Sequence, residues 1–317
     1  MASNLDQSGM PSTDTTNSSP FKQPHVWVLG GGGFIGEAVV RQLLAMEIRV
    51  TGLVRNTPLP EGAKSVSGDI RSFDWRQLEA DLPDAIIHLA RIPGRRRLSR
   101  WWAGHQGRRA SERLTGWLRG LPQAPHLVYV SGTLVYGDRG TQPTDESAPL
   151  NPIAFQRDYV KAEHPFLGAR GGEIPVSVVR PPWVIGRGSW FQQFYARAAR
   201  ESGSITQFGS GQNLMSLIHV DDCAAQICSV ALGRQHQGKI YNLCACPQVT
   251  HAEFIRLTAG ICAAEISSMP EEQLRRKFGR TVYEALTFSM DVRSREPLIR
   301  NFPNQYPGAE EAIRASV

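Results

Sequence analysis

Val26-Trp-Val-Leu-Gly-Gly-Gly-Gly-Phe-Ile-Gly36 is the stretch on which the fold turns. A short apolar run ends in glycines at 30, 33 and 36. Apolar residues then recur at helical spacing through Phe34, Ile35, Ala38, Val39, Val40, Leu43 and Leu44. This pattern predicts a strand, a tight turn and a helix whose first N–H groups lack partners in the chain. Such a terminus, at the positive end of the helix dipole, attracts a diphosphate. Gly30 makes the turn, Gly33 lets phosphates approach the backbone, and Gly36 lets helix and strand pack closely. Glycine-rich loops are common; this one follows a strand and opens a helix, as dinucleotide binding requires.

Downstream, strands and helices alternate. Arg49–Val54 reads as a second strand, a short third one precedes Gly68-Asp69-Ile70, and Asp84–Ala90 is an apolar run suited to burial on both faces. His126–Ser131 is a fifth strand and Val176–Arg180 a sixth, stopped by Pro181 and Pro182. The order predicts an α/β fold of the Rossmann type, a doubly wound parallel sheet. The domain is expected over 24–180, completed by about 216–245 through strands at Ser216–Asp222 and Lys239–Cys244. Asp222 and its neighbour are read as the cap of the helix between those strands. Residues 181–215 and 246–317 are expected to form a smaller substrate lobe, with helices at 251–263 and 271–278. Residues 1–23, rich in Ser, Thr, Asn and Asp, read as a disordered polar tail and not a secretion signal.

Composition narrows the function classes. The chain has 317 residues, 41% hydrophobic and 20% charged, as soluble globular proteins do. No apolar run approaches the roughly 20 residues of a membrane span. Five cysteines, an odd number, read as reduced, mostly buried thiols of a cytoplasmic protein, and no metal site is expected. The net charge of +6 is uneven: between 91 and 119 nine arginines face Glu112 alone, so this segment carries +8 and the remainder −2. No nucleic-acid module accompanies it. The readings left are a solvated basic helix face or contact with an anionic ligand or cofactor phosphate.

In nicotinamide-binding folds an acid near the end of the second strand holds the ribose hydroxyls. Here Val54 is followed by Arg55, a partner for a 2′-phosphate, which favours NADP(H) over NAD(H). Asp69 could reach the adenine amino group or cap a helix near Phe73–Ala80. Trp183, Trp190, Phe191, Phe194 and Tyr195 cluster in sequence, either as an apolar substrate wall or as core.

Together these elements resemble the extended short-chain dehydrogenase/reductases, the NAD(P)-dependent epimerase/dehydratase group. The glycine turn, Gly68-Asp69-Ile70, His88-Leu89-Ala90, Ser131 to Gly137, Arg180-Pro181-Pro182 with Gly186, Ile218–Asp222 and Tyr241-Asn242-Leu243 match in order over roughly 25–260. The resemblance implies a cofactor across the C-terminal strand edges, against Gly30, Gly33, Phe34, Ile35, Gly36, Arg55, Asp69, Ile70, Leu89, Ala90, Lys161 and Pro182. It also makes a homodimer possible through the helices at 100–119 and 158–169.

The resemblance implies catalysis by a Ser/Thr, a Tyr and a Lys four residues after the Tyr. The tyrosine exchanges a proton with the substrate oxygen while the lysine lowers its pKa and holds the ribose. The usual Ser/Thr position falls on Gly132, flanked by Ser131 and Thr133. Lys161 resembles the lysine, but Arg157 stands four residues before it. Tyr159 and Lys161, two apart, share a face only if the helix begins after Tyr159. The candidate catalytic residues are therefore Ser131, Thr133, Tyr159 and Lys161, with His164 or water as further proton sources. The reading is an NAD(P)H-dependent reductase or dehydrogenase of a carbonyl or alcohol, with a non-standard active site and a small, apolar or aromatic substrate as in secondary metabolism. The alternatives are a sugar-nucleotide epimerase or dehydratase, a non-redox isomerase or cyclase, and a catalytically silent dinucleotide binder.

Overall fold

The computed structural model describes residues 23–94, 96–172 and 174–317. The tail expected over 1–23 lies, but for Gln23, outside them. The strands that build the centre are β1 (His25–Leu29), β2 (Arg49–Val54), β3 (Lys64–Ser67), β4 (Ala85–His88), β5 (His126–Val130), β6 (Val176–Arg180) and β7 (Ile240–Asn242). They form one seven-stranded sheet in the order β7-β6-β5-β4-β1-β2-β3, with every pairing parallel. The order reverses between β1 and β4, and the crevice beyond the C-terminal ends of those two strands is where such sheets bind ligands.

Successive strand residues face opposite sides, so each strand feeds two cores. Val26, Val28, Val50, Ile87, Val128 and Val179 pack with α1 (Phe34–Ala45) and α4 (Val220–Leu232). Trp27, Leu29, Leu53, Ile86, Leu127 and Val178 pack with α2 (Arg97–Arg119) and α3 (His164–Ala169). The turn after β1 shows why its glycines are needed. Gly30 has φ +89°, and a Cβ there would lie 2.8 Å from the Ala90 nitrogen on the neighbouring strand's exit. A Cβ on Gly36 would land on the Gly30 carbonyl oxygen.

Several sequence expectations are corrected. The helix after β3 is a 3₁₀ helix at Trp75–Asp81, capped by Asp74, whose side chain accepts from the Arg76 N–H; Asp69 does not cap it. His219, not an aspartate, caps α4: its ring nitrogen accepts from the Asp221 N–H, and Asp221 and Asp222 sit in the first turn. The helix expected at 271–278 runs from Glu271 to Thr287, broken at Gly279, whose φ is +76°. Of the five free cysteines only Cys223 and Cys228 are buried; the other three are partly exposed.

Beyond β6, a separate apolar cluster gathers Ile185, Phe191, Tyr195, Phe208, Phe254, Leu274 and Ile313, with Trp183 and Trp190 packed against it. Apart from Phe194, which is exposed, the aromatic run at 183–195 thus belongs to the interior of this C-terminal part. Phe191 and Tyr195 are buried, and none of the five aromatics lines the crevice described below. Of the two readings of this run, core or substrate wall, the packing favours the core.

Candidate active site

Two cavities share the crevice. The first, about 380 Å³, lies over the ends of β1–β3 and is lined by Gly30, Gly33, Arg55, Asn56, Thr57 and Asp69, among others. The second, about 310 Å³, runs from the same glycine turn past Phe34, Ile35 and Gly36 to His88, Tyr129, Ser131 and Tyr159. Its outer wall is the small-residue face of α2: Ala103, Gly104, Gly107 and Ser111. Gly30, Gly33, Ile70, Leu89, Ala90, Arg91 and Ile92 line both. The two together make an elongated trough with a helix N-terminus at its midpoint. That shape and that donor set suit a dinucleotide laid across the sheet.

At the first cavity Arg55 is exposed at the exit of β2. Asp69 is held by Arg71, whose Nε and Nη2 donate at 2.9 and 2.8 Å, and by the Arg71 backbone N–H at 2.9 Å. The Arg71 guanidinium holds the Asp69 carboxyl at a pKa of about 2. Asp69 therefore meets the cavity as half of an ion pair and leaves Arg55 unneutralised.

At the far end Ser131 follows β5, and its Oγ donates to Glu163 Oε2 at 2.5 Å. Glu163 is fully buried, and its other oxygen accepts from Arg180 Nε at 3.1 Å and Nη2 at 2.5 Å. Arg180 in turn donates to the Tyr136 hydroxyl at 2.8 Å, and Tyr136 donates to Asn242 Oδ1 at 2.7 Å. A connected polar chain thus runs from the cavity wall through the protein. Sequence reasoning missed Glu163 and found Arg180 only as part of a motif. The missed signal was an acid four residues after a candidate tyrosine.

The other candidate residues fall elsewhere. Tyr159 lines the second cavity, but its hydroxyl accepts from the Gly94 N–H at 3.0 Å and donates to the Gly94 carbonyl at 3.3 Å. Lys161 is not brought to the cavity. Its Nζ lies 3.2 Å from Asp158 Oδ1 and 5.9 Å from the Trp101 ring centre, although helical structure does begin late, at Tyr159. Thr133 is buried in a single 3₁₀ turn, Pro182 borders neither cavity, and His164 is exposed at the start of α3.

Three wall groups stood outside the candidate site residues, although His88 belongs to a matched motif and Arg91 to the basic segment read as a contact for an anionic ligand. His88 is buried edge-on to Tyr129 and Phe166, and burial lowers its pKa to about 4, so it is a neutral spacer at neutral pH. Burial raises the Tyr129 pKa, above all, keeping that phenol protonated. Arg91 lays its guanidinium 4.4 Å from the Tyr159 ring centre. Elsewhere the basic segment is largely a helix face, with Arg108 paired to Glu112 and Arg113 donating to the Phe73 carbonyl.

The profile of the NAD dependent epimerase/dehydratase family matches residues 26–244, from β1 through the end of β7. The chain belongs to that family. Family members of similar sequence include the bovine epimerase family protein SDR39U1, 28% identical over 301 residues, covering 91% of this chain and 98% of the relative. Mouse short-chain dehydrogenase/reductase family 42E member 1 is 28% identical over 274 residues, covering 76% and 68%. Among solved structures, human SDR39U1 with NADPH superposes with a TM-score of 0.77 at 25% identity, covering 92% of this chain and 98% of that one. A dTDP-glucose 4,6-dehydratase from Bacillus anthracis in complex with NAD gives 0.76 at 17% identity, a likeness of fold. The family is NAD(P)-binding, and in this member the glycine turn and both cavities keep the form that binding needs. No helix among the described residues is long and apolar enough to cross a membrane.

Proposed function

We propose that this chain is an NADP(H)-preferring oxidoreductase acting on a carbonyl or alcohol, with Ser131 at the substrate oxygen. The bound dinucleotide would supply or accept the hydride. The observation that carries the reading is the Ser131–Glu163 bond at the end of the second cavity. Because Arg180 takes one oxygen of Glu163, the other is left to receive the Ser131 proton. The Ser131 oxygen is thereby turned into an acceptor: as a substrate hydroxyl is oxidised, its proton passes to Ser131 Oγ while the Ser131 proton passes to Glu163 Oε2. In the reverse direction Glu163 returns that proton to Ser131, whose own proton goes to the carbonyl oxygen. Arg180 holds Glu163 in place through two guanidinium N–H groups.

Tyr159 has a supporting part in this reading. Its hydroxyl closes the 91–96 loop through Gly94, and its ring carries Arg91. Arg55 gives the preference for NADP(H), offering a forked cation to a 2′-phosphate where Asp69 is already neutralised. The NADPH in the human SDR39U1 structure supports the same preference.

The test follows absorbance at the reduced-nicotinamide band with a panel of carbonyl compounds. Ser131→Ala is expected to lower turnover by roughly 10² to 10⁴ while dinucleotide affinity stays within about twofold. Tyr159→Phe is expected to cost less than about tenfold. Dinucleotide binding with no consumption across the panel would instead favour the non-redox or silent alternatives.

A further inference from the structure

Among the described residues, Arg91 is the one cation that faces both cavities. It lies three residues past the end of β4, next to the Leu89-Ala90 backbone that a Cβ on Gly30 would meet. Its long side chain is held from two directions: the guanidinium rests over the Tyr159 ring, and Nη2 donates to Gln156 Oε1 at 3.1 Å. Both supports are themselves fixed. Gln156 is 2% exposed, and the Tyr159 hydroxyl is tied to both polar groups of Gly94. An arginine so placed has already lost the rotamer freedom that binding would cost it.

Its charge is not cancelled. Among the described residues no carboxylate lies within ion-pair distance of Arg91, whereas Arg71 and Arg180 are matched by Asp69 and Glu163. Its supports are a neutral amide and a phenol. A planar fork of N–H donors, immobilised and unneutralised at the meeting of two cavities, matches two oxygens of one anionic group.

We infer that Arg91 is a receptor for an oxyanion, a phosphate or carboxylate, belonging either to the dinucleotide's diphosphate or to the substrate. The inference rests on the dinucleotide reading given above for its location and deepens it: if the substrate is the source, the substrate class is an anionic carbonyl or alcohol, not the neutral apolar one expected from sequence. Gln156, where a glutamate would have closed an ion pair, keeps the site open to a ligand.

Calorimetry on the full chain separates the sources. NADP⁺ is titrated into wild type, Arg91→Gln and Arg91→Lys, and each NADP⁺-saturated complex is then titrated with inorganic phosphate and with oxalate. A loss of about tenfold or more in NADP⁺ affinity in Arg91→Gln assigns the oxyanion to the cofactor. Unchanged NADP⁺ affinity, with a similar loss in phosphate or oxalate affinity, assigns it to the substrate. Arg91→Lys is expected to fall between. Both affinities staying within twofold of wild type in Arg91→Gln overturns the inference. Gln156→Glu, which neutralises the guanidinium in place, gives the same readout should Arg91→Gln fail to fold. Should wild type bind no dinucleotide, the oxidoreductase reading fails alone: the same oxyanions titrated into the unliganded protein then decide for or against Arg91.

Discussion

A glycine and a carboxylate carry most of the weight at the level of single residues. Gly36→Ala adds one carbon where the Gly30 carbonyl already stands, so the phosphate turn must open. Fluorescence titration is expected to show dinucleotide affinity falling by at least about tenfold; unchanged affinity would mean that the turn does not hold the diphosphate. Glu163 and Arg180 form an ion pair with 0% and 2% side-chain exposure. Removing one partner strands the other charge, and Glu163→Ala is expected to cost about 3–5 kcal/mol in denaturant unfolding. Arg55→Ala should narrow the ratio of NADP⁺ to NAD⁺ affinities by roughly tenfold or more, an interaction of about 1.4 kcal/mol or above. The glycine and Arg55 were legible in the chain because each acts through its own backbone or its place after a strand. Glu163 was not, since only folding brings it to Ser131, 32 residues away.

At the level of elements, the strand–turn–helix start and the parallel strands could be read directly, because unbroken apolar runs mean burial on both faces. The register of the turn at 157–161 could not. Residue spacing placed Lys161 opposite Tyr159, but whether either meets the cavity depends on how α2 lies over that turn. Here α2 comes so close that a Cβ on Gly104 would overlap the Asp158 carbonyl. Gly104→Ala therefore sets two effects against each other: alanine favours a helix over glycine by about 1 kcal/mol, while overpacking costs about 1–3 kcal/mol. The obstacle is a backbone carbonyl that cannot swing aside, so net destabilisation in urea is expected; a more stable variant would show that α2 can move off. The aromatic run at 183–195 taught the same lesson. Its composition fitted a ligand wall or a core equally, and only the packing of Phe191 and Tyr195 against Phe254 distinguishes them.

For the molecule as a whole, buried histidines set the response to acid. His88, His126 and His251 each have a pKa lowered to about 4 by burial. Between that value and the unfolded value of 6.5 the unfolded chain binds the extra protons, so stability is full above pH 6.5 and falls as pH drops toward 4. Each histidine contributes a slope of up to about 1.4 kcal/mol per pH unit in that window. Denaturant melts at pH 7, 6 and 5 should show it, with a smaller slope in His88→Gln; a flat profile would contradict the burial of these rings. Binding acts in the opposite sense: NADP⁺ at a hundredfold excess over its Kd should stabilise the fold by about 2.7 kcal/mol. The polar chain that begins at Ser131 has one more consequence. Past Tyr136 it reaches Asn242, whose side-chain amide donates to the Arg293 carbonyl at 3.1 Å, and whose backbone N–H donates to Glu146, itself bonded to Ser294 and Arg295. Residues 293–295 thus anchor the far end of that chain, while the glycine turn at 30–36 shares none of its bonds. A lesion there, such as Ser294→Ala, would reach the proposed reactive hydroxyl from far outside the crevice and leave the diphosphate's seat untouched.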